Sequence, residues 1–296
     1  MINKLRKRFI IFSVLVISII ITIIALFMLT GGEHNMPLHR YIITVVITVV
    51  MVFVGSLLLS KTAIRPVQSA WQKQLDFTAD ASHELRTPIT VIQTNLDLVM
   101  DSGDETVSSQ IKWLKNIEAE NKRMAKLVDD LLTLSRADTD QQMLEKETFM
   151  VDEAISEALA PFEAMAGEKN INLNLNASDK VALFGDRKRI RQLIVILVDN
   201  ALRYTDFGTV TVGISKNEKE ISIVVSDTGH GIEDEHIGKI FDRFYRGTKT
   251  RSLNQDGSGL GLSIAKWIVQ EHGGTIKVAS ALGAGTSFTI NLPNVV

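Results

Sequence analysis

The chain contains no cysteine, so it can form neither disulfide bonds nor thiolate metal sites. It has only five prolines and no long polar repeat, which argues against extensive disorder. Its formal charge of −2 gives no reason to expect binding to nucleic acid. A chain of 296 residues is too long for one compact unit, and we therefore expect a multi-domain protein of two or three modules.

Two runs without a charged residue stand near the N-terminus, at 9–30 and 41–60. Each is close to the ~20 residues that a helix needs to cross a bilayer. Basic residues stay on the cytoplasmic side, and here "KLRKR" precedes the first run while Lys61 and Arg65 follow the second. We expect a two-span transmembrane hairpin, with residues 1–8 and the chain after residue 60 on the cytoplasmic side and the short loop outside. A cleaved signal peptide fits poorly, because the first run is too long and lacks a clear A-x-A site.

The segment between the two runs, residues 31–40, is too short to fold a sensory domain with its own core. It contains His34 and His39, which could bind a metal ion. Two histidines in a short loop are more often simple polar residues.

After a juxtamembrane linker at 61–70, residues 71–140 show two apolar stripes with helical spacing. The first stripe consists of Trp71, Leu75, Thr78, Ser82, Leu85, Ile89, Ile92, Leu96 and Val99, and the second of Leu114, Ile117, Met124, Val128 and Leu131. The segment "DSGDET" separates them and predicts a short turn. Because one helical hairpin cannot bury both stripes, we expect a homodimer that forms an antiparallel four-helix bundle.

Residues 147–296 mix helical and strand patterns. The segments "VDEAISEALAPFEAMA", "RKRIRQLIVILVDNALRY" and "GLSIAKWIVQEHG" predict helices, and "INLNLNA", "GTVTVGIS", "ISIVVSD", "GTIKVAS" and "TSFTINL" predict strands. The pattern is typical of an α+β sandwich, in which one layer of helices covers one sheet.

The stretch "SHELRTP" inside the first stripe carries reactive side chains. His83 lies one residue from the seam, and a neutral imidazole is a competent nucleophile near pH 7. Glu84 could polarise one ring N–H, and Thr87 follows one turn later on the same face. Pro88 cannot donate a helical hydrogen bond, which predicts a bend there. Alone, these residues are more often an ordinary coiled-coil surface than a reactive site.

The α+β region carries two glycine-rich segments, "DTGHGI" and "GSGLGLSI". Glycines allow a backbone to approach a ligand closely, and the second segment opens a helix whose N-terminus would attract phosphate. No βαβ unit surrounds them, so a dinucleotide-binding fold is not indicated. Between them, "RGTKTRSLNQD" has the composition of a mobile lid over phosphates. Asn200, in "DNALRYT", could ligate Mg²⁺ through its amide oxygen.

Taken together, these segments resemble the membrane-bound sensor histidine kinases of bacterial two-component systems, over roughly residues 68–293. "SHELRTP" is similar to the phospho-acceptor box, "DNALRYT" to the asparagine box, and "DTGHGI" and "GSGLGLSI" to the two glycine boxes. "FDRFYR" resembles the phenylalanine box, and "GTSF" the final glycine-threonine element.

The resemblance implies an enzyme, a protein-histidine kinase that uses ATP and Mg²⁺. It implies a dimerisation and phosphotransfer domain at 71–140 and a catalytic ATP-binding domain at 147–296. The implied partner is a response regulator that accepts the phosphoryl group on an aspartate. The kinase would also act as a phosphatase of that regulator.

The resemblance also implies roles for single residues. His83 would accept the phosphoryl group, Glu84 would serve as its base or polariser, and Thr87 would position water in the phosphatase reaction. Arg246 could meet the γ-phosphate. The nucleotide site would comprise Asn200, which also ligates Mg²⁺, with Arg203, Tyr204, Asp227, Gly229, Gly231, Gly257, Gly259 and Gly261. Phe241 and Phe244 would dock the ATP domain onto the bundle, or else belong to its core.

One residue departs from the pattern of the family. Ile196 stands where many relatives carry a second asparagine, and an apolar side chain cannot ligate Mg²⁺. We expect weaker Mg²⁺–ATP binding or slower phosphorylation as a result. Two alternatives stay open at this point: an inert membrane-anchored scaffold, and an ATPase of the related chaperone and gyrase type.

Overall fold

A computed structural model describes residues 38–59, 65–102, 106–137, 144–177, 180–247 and 257–294, with a few positions between 14 and 22. The chain divides into two compact units, Met1–Ala79 and Asp80–Val296. Residues 31–37, with His34, lie outside the described residues, as do most of residues 9–30, whereas His39 lies in the helix that begins at Leu38.

In the first unit, helix α1 spans Leu38–Leu59, and helix α2 (Arg65–Asp101) begins. Among the residues that the structure describes, no helix is both long and apolar enough to cross a membrane. The predicted pair of membrane spans therefore receives no support from the structure.

In the second unit, α2 and helix α3 (Val107–Ala137) form an antiparallel hairpin. Gln110 Nε2 donates to the carbonyl oxygen of Ser102 at 2.8 Å, and Asn116 Nδ2 donates to Asn95 Oδ1 at 3.2 Å. The N-terminal part of α3 thus lies beside the C-terminal part of α2. Pro88 is buried inside α2, which stays helical on both sides of it.

Much of the predicted apolar stripe is uncovered in a single chain. Ile89 and Leu96 of α2 and Val128 of α3 are exposed to between two fifths and one half. A second hairpin would cover such side chains, as in a dimeric four-helix bundle. The burial pattern therefore agrees with the predicted homodimer.

The rest of the second unit is the predicted α+β domain. Its helices are α4 (Val151–Leu159), a 3₁₀ turn (Ala160–Phe162), α5 (Glu163–Glu168), α6 (Arg187–Arg203), α7 (Asp234–Ile237) and α8 (Gly261–Glu271). Its strands are β1 (Glu147–Met150), β2 (Ile171–Ala177), β3 (Ala182–Gly185), β4 (Gly208–Lys216), β5 (Glu220–Asp227), β6 (Thr275–Ala281) and β7 (Gly285–Pro293). All the predicted helices and strands of this domain are confirmed, while the four-residue strands β1 and β3 were not predicted.

Five strands form one sheet in the order β2-β4-β5-β7-β6, in which β2 and β4 are parallel and the other neighbours antiparallel. Strands β1 and β3 pair antiparallel in a small separate sheet. Alternate side chains of the central strands, such as Val212 and Ile223, are fully buried with those of α6 and α8. Leu127 and Leu134 of α3 belong to the same buried core, so the α+β domain packs against the hairpin.

A buried histidine joins the ends of two helices of this domain. His272 follows α8, and its Nδ1–H donates to the carbonyl oxygen of Ile268 at 2.8 Å. Its Nε2 accepts the backbone N–H of Asp186 at 2.9 Å, and the Asp186 carboxylate in turn caps α6 by accepting from Arg189 N. Burial lowers the pKa of His272, which keeps the ring neutral and able to accept.

Candidate active site

A cavity of about 500 Å³ lies between the hairpin and the α+β domain, within the usual size range of ligand pockets. The hairpin contributes Glu84 and Pro88 from α2 and Arg123, Lys126 and Asp130 from α3. The opposite wall contains most of the residues that the sequence assigns to the nucleotide site: Asn200, Arg203, Tyr204, Asp227, Gly231, Arg246, Gly257, Gly259 and Gly261. Segments far apart in the sequence therefore meet around one space.

Asp227 ends strand β5 at the bottom of this wall. Its Oδ1 accepts the backbone N–H groups of Gly229 at 2.9 Å and Thr286 at 3.2 Å. Burial raises the pKa of the Asp227 carboxyl, although the two backbone donors act in the opposite direction. The two bonds to Oδ1 hold the carboxylate in one orientation.

The first glycine box brings the backbone close to its neighbours. A Cβ atom at Gly229 would overlap the carbonyl oxygen of Tyr204, which also accepts the N–H of His230 at 3.0 Å. Gly231 has a φ of +70°, and a Cβ there would overlap the carbonyl oxygen of Ala281. Gly229 does not line the cavity itself, but it holds the loop beside Asp227 in place.

The asparagine box lies on the last turns of α6. Asn200 Nδ2 donates to the carbonyl oxygen of Ile196 at 3.0 Å, so the amide oxygen is the atom that a cation could bind. Arg203 donates to the Asp199 carboxylate at 3.1 Å, with about a fifth of its side chain exposed. The half-buried Ile196 also lines the cavity, and its Cγ2 lies close to Gly261 at the start of α8.

The phenylalanine box is attached to the second glycine box. The backbone N–H of Phe244 donates to the carbonyl oxygen of Gly259 at 3.0 Å, and Phe244 itself has a φ of +59°. The ring of Phe241 meets that of Phe288 edge-on at 6.3 Å, and both Phe241 and Phe244 pack against the core of the α+β domain. Their positions favour the core interpretation over docking onto the bundle. Residues 248–256, in the predicted lid, lie outside the described residues.

The phospho-acceptor box lies on the hairpin side. His83 is exposed and does not line the cavity, whereas its neighbour Glu84 is half-buried and does. Thr87 is also exposed, and its hydroxyl donates to the carbonyl oxygen of His83 at 3.4 Å. His83 thus lies next to a cavity-lining carboxylate, with Thr87 one helical turn away.

Sequence reasoning missed several polar residues of the cavity wall, among them Asp130, His236 and Tyr245. Asp130 of α3 is 9% exposed, and burial raises its pKa to about 6. His236 and Tyr245 also line the cavity, and Tyr245 OH lies 2.7 Å from His236 Nδ1. Asp130 lies in the long helix α3 and His236 in the four-residue helix α7, so neither stands out until the fold brings it to the cavity.

Comparison with known proteins agrees with this geometry. Residues 73–140 match the family of His Kinase A (phospho-acceptor) domains, and residues 185–296 match the histidine kinase-, DNA gyrase B- and HSP90-like ATPases. Together the two matches cover well over half of the chain. The first contains His83 and the second contains every predicted residue of the nucleotide wall.

Individual relatives point the same way. Sensor protein SrrB of Staphylococcus aureus is 38% identical over 224 residues, which are 75% of this chain and 38% of SrrB. The chain thus spans well under half the length of that relative. The structure of the histidine kinase AdeS of Acinetobacter baumannii is similar, with a TM-score of 0.60, 27% identity, and coverage of 72% of this chain and 98% of that one.

The histidine kinase ThkA, solved in complex with the response regulator protein TrrA, has the same fold. Its TM-score is 0.60 at 24% identity, and the match covers 79% of this chain and 65% of that one. The paired domains, the order of the boxes and their convergence on one cavity all agree with these comparisons. The chain therefore belongs to the sensor histidine kinases.

Proposed function

We propose that this chain transfers the γ-phosphoryl group of ATP to His83, and from there to an aspartate of a separate response regulator. The observation that carries the proposal is the position of Glu84. It is the chain neighbour of His83, and it lines the same cavity as Asp227, Asn200 and the glycine boxes. The residue next to the nucleophile and the residues of the nucleotide site therefore line one cavity.

Adenine recognition would come from Asp227. The Gly229 and Thr286 amides hold one of its oxygens, so the other oxygen is pre-oriented to accept a hydrogen bond from the exocyclic amine. A guanine base presents a carbonyl oxygen at that position, which repels a carboxylate. This arrangement supports ATP rather than GTP as the phosphoryl donor.

The transfer itself is a displacement at phosphorus. A lone pair of one ring nitrogen of His83 forms the new P–N bond, while the bond from the γ-phosphorus to the bridging oxygen breaks and ADP leaves with its electron pair. The positive charge that develops on the imidazole is offset by the Glu84 carboxylate, which can accept the proton from the other ring nitrogen. Arg203 and Arg246 would balance phosphate charge, because both line the cavity.

The residues present fit a Mg²⁺ ion held chiefly by the nucleotide. Asn200 offers an amide oxygen, since its NH₂ group is bonded to the carbonyl oxygen of Ile196. Ile196 itself offers no ligand, so the ion would take its other ligands from phosphate and water, as Mg²⁺ commonly does. When bound, the ion would neutralise phosphate charge and orient the phosphates.

The chain would also act as a phosphatase that hydrolyses the phosphoryl group of the phosphorylated regulator. The Thr87 hydroxyl is exposed one helical turn from His83, where it could position a water molecule.

Uncovered apolar side chains on α2 and α3 support a homodimer as the working form.

For the N-terminal region we propose anchorage in the bacterial plasma membrane by residues 9–30 and 41–60. The support is the absence of any charged residue from both runs and the basic residues that flank them. Because the chain has no native cysteine, single cysteines placed at 5, 35 and 63 could be probed with an impermeant maleimide on intact cells. Labelling at 35 alone is expected, and labelling at 5 or 63 would contradict the proposed orientation.

The proposed function is tested with γ-³²P-ATP, Mg²⁺ and the purified chain, beside a His83→Gln variant. We expect acid-labile, base-stable label on the wild type and none on the variant. Label on both would move the acceptor elsewhere. Label on neither, with nucleotide binding retained, would favour an inert scaffold and make Ile196 the first suspect. Steady ATP turnover without a phosphoprotein would favour an ATPase of the chaperone and gyrase type.

A further inference from the structure

The end of the phenylalanine box is fixed to the rest of the domain at two points. The first is the hydrogen bond from the backbone N–H of Phe244 to the carbonyl oxygen of Gly259. Both residues have positive φ angles, of 59° and 71° respectively. A non-glycine residue in this conformation carries strain and persists only where the surrounding structure holds it. The second point is the hydrogen bond of 2.7 Å between Tyr245 OH and His236 Nδ1.

The surroundings of His236 decide which way that second bond runs. Its Nε2 lies 3.6 Å from Glu235 Oε1 and 3.9 Å from Glu233 Oε2. Two carboxylates on this side favour the tautomer that carries its proton on Nε2. Nδ1 is then an acceptor, and the Tyr245 hydroxyl is the donor. The imidazole is thereby oriented by acidic residues on one side and bonded to the tyrosine on the other.

The position of this pair connects it with the reaction. His236, Tyr245 and Arg246 all line the nucleotide cavity. His236 lies on α7, and its side chain is only 15% exposed. With Phe244 and Tyr245 both held, the backbone that carries Arg246 has little freedom of its own.

We propose that His236 is a positioning residue for phosphoryl transfer, which holds Tyr245 and thereby keeps Arg246 at the nucleotide cavity. The inference rests on the proposed function, because it assigns Arg246 to the transferred phosphate. His236 would act through Tyr245 and not by contact with the reacting atoms. Loss of its bond should therefore slow the transfer and leave nucleotide binding almost unchanged.

The test compares His236→Ala, Tyr245→Phe and the double variant in the full chain. Three quantities are measured: the rate of His83 labelling at saturating ATP, the ATP concentration for half-maximal rate, and the Kd of a fluorescent ATP analogue. We expect each single variant to lower the saturated rate about tenfold, the effect of one lost hydrogen bond, with Kd changed less than about twofold. The double variant should be no slower than either single variant, because both remove the same bond.

Two further variants separate positioning from general damage. His236→Asn places an amide oxygen near the position of Nδ1 and should recover most of the rate. Lys239→Ala changes an exposed residue of the same segment and should match the wild type. Amide hydrogen exchange at 244–247 should be faster in His236→Ala than in the wild type, whatever the kinase activity of the preparation.

Several outcomes would overturn the inference. These are wild-type rates in both single variants, multiplicative losses in the double variant, unchanged exchange at 244–247, or a loss of Kd and melting temperature that His236→Asn does not restore. An unlabelled wild type would instead refute the proposed function. A labelled wild type with unaffected variants refutes the inference alone.

Discussion

Asp130 is a buried carboxyl group in the wall of the nucleotide cavity, and its charge should cost the chain stability at neutral and alkaline pH. Burial raises its pKa from 3.8 to about 6, against a smaller opposite effect of Lys126. The pKa of Asp130 is higher in the folded than in the unfolded chain, so protonation of this carboxyl group stabilises the folded chain. That stabilisation is complete below pH 4 and is lost as the pH rises through 6. At about 1.4 kcal/mol per pKa unit, a shift of about two units corresponds to about 3 kcal/mol.

The substitution Asp130→Asn keeps the shape of the side chain and removes its ionisation. We expect the variant to be more stable than the wild type by about 2–3 kcal/mol at pH 8, and the difference to vanish near pH 4. Urea unfolding at pH 4, 6 and 8 measures this. Asp129→Asn, which changes the exposed neighbour, serves as the control and should stay within about 0.5 kcal/mol of the wild type at every pH.

The pH dependence carries the test. A stabilisation by Asp130→Asn that is equal at all three pH values would come from packing or helix propensity, not from ionisation. No stabilisation at pH 8 would mean that the carboxylate is well solvated, and it would refute burial of Asp130 by the α+β domain.

Three other predictions concern the nucleotide site and its support. Gly229→Ala should weaken ATP binding more than tenfold in an equilibrium titration, since the new methyl group would overlap a carbonyl oxygen; unchanged affinity would contradict the close approach. Protonation of His272 should destabilise the wild type as the pH falls below about 6.5, because burial lowers its pKa and the charged ring cannot accept from Asp186. The side chain of His272→Gln cannot be protonated, so the melting temperature of this variant should fall less than that of the wild type over the same pH range. An equal fall in both proteins would show that protonation of His272 is not the cause. Ile196→Asn should tighten binding of Mg²⁺–ATP by up to about tenfold and leave Mg²⁺-free ADP binding unchanged; equal effects on both would show that packing against Gly261, not a polar contact, is what changed.

Much of the α+β domain could be predicted from local patterns. The strict alternation in "INLNLNA" and "ISIVVSD" marks half-buried strands, and the structure has them as β2 and β5. Strands β1 and β3 were not predicted, because four residues are too few to reveal an alternation of apolar and polar side chains. Their pairing joins segments more than thirty residues apart, which no local pattern specifies.

The candidate site divides in the same way. Asp227 and the glycines were found because a turn with close backbone approach needs particular residue types at fixed spacing. His236 and Asp130 were missed because their importance comes from tertiary contacts that no local pattern specifies: a hydrogen bond to Tyr245 for His236, and burial for Asp130. The sequence left open whether Phe241 docks onto the bundle or belongs to the core, because its ring contact, Phe288, lies in the last strand.

The close backbone packing at Gly229 and Gly231 has a consequence for inhibition of the proposed kinase activity. A side chain at either position would collide with a neighbouring carbonyl group, so the loop tolerates glycine alone. Resistance to an ATP-competitive compound could not arise there without loss of the natural ligand. It could arise at wall positions such as Ile196 and Leu282, whose side chains border the same space. Compounds that contact the glycine loop and avoid these two side chains would leave few positions at which a substitution could cause resistance.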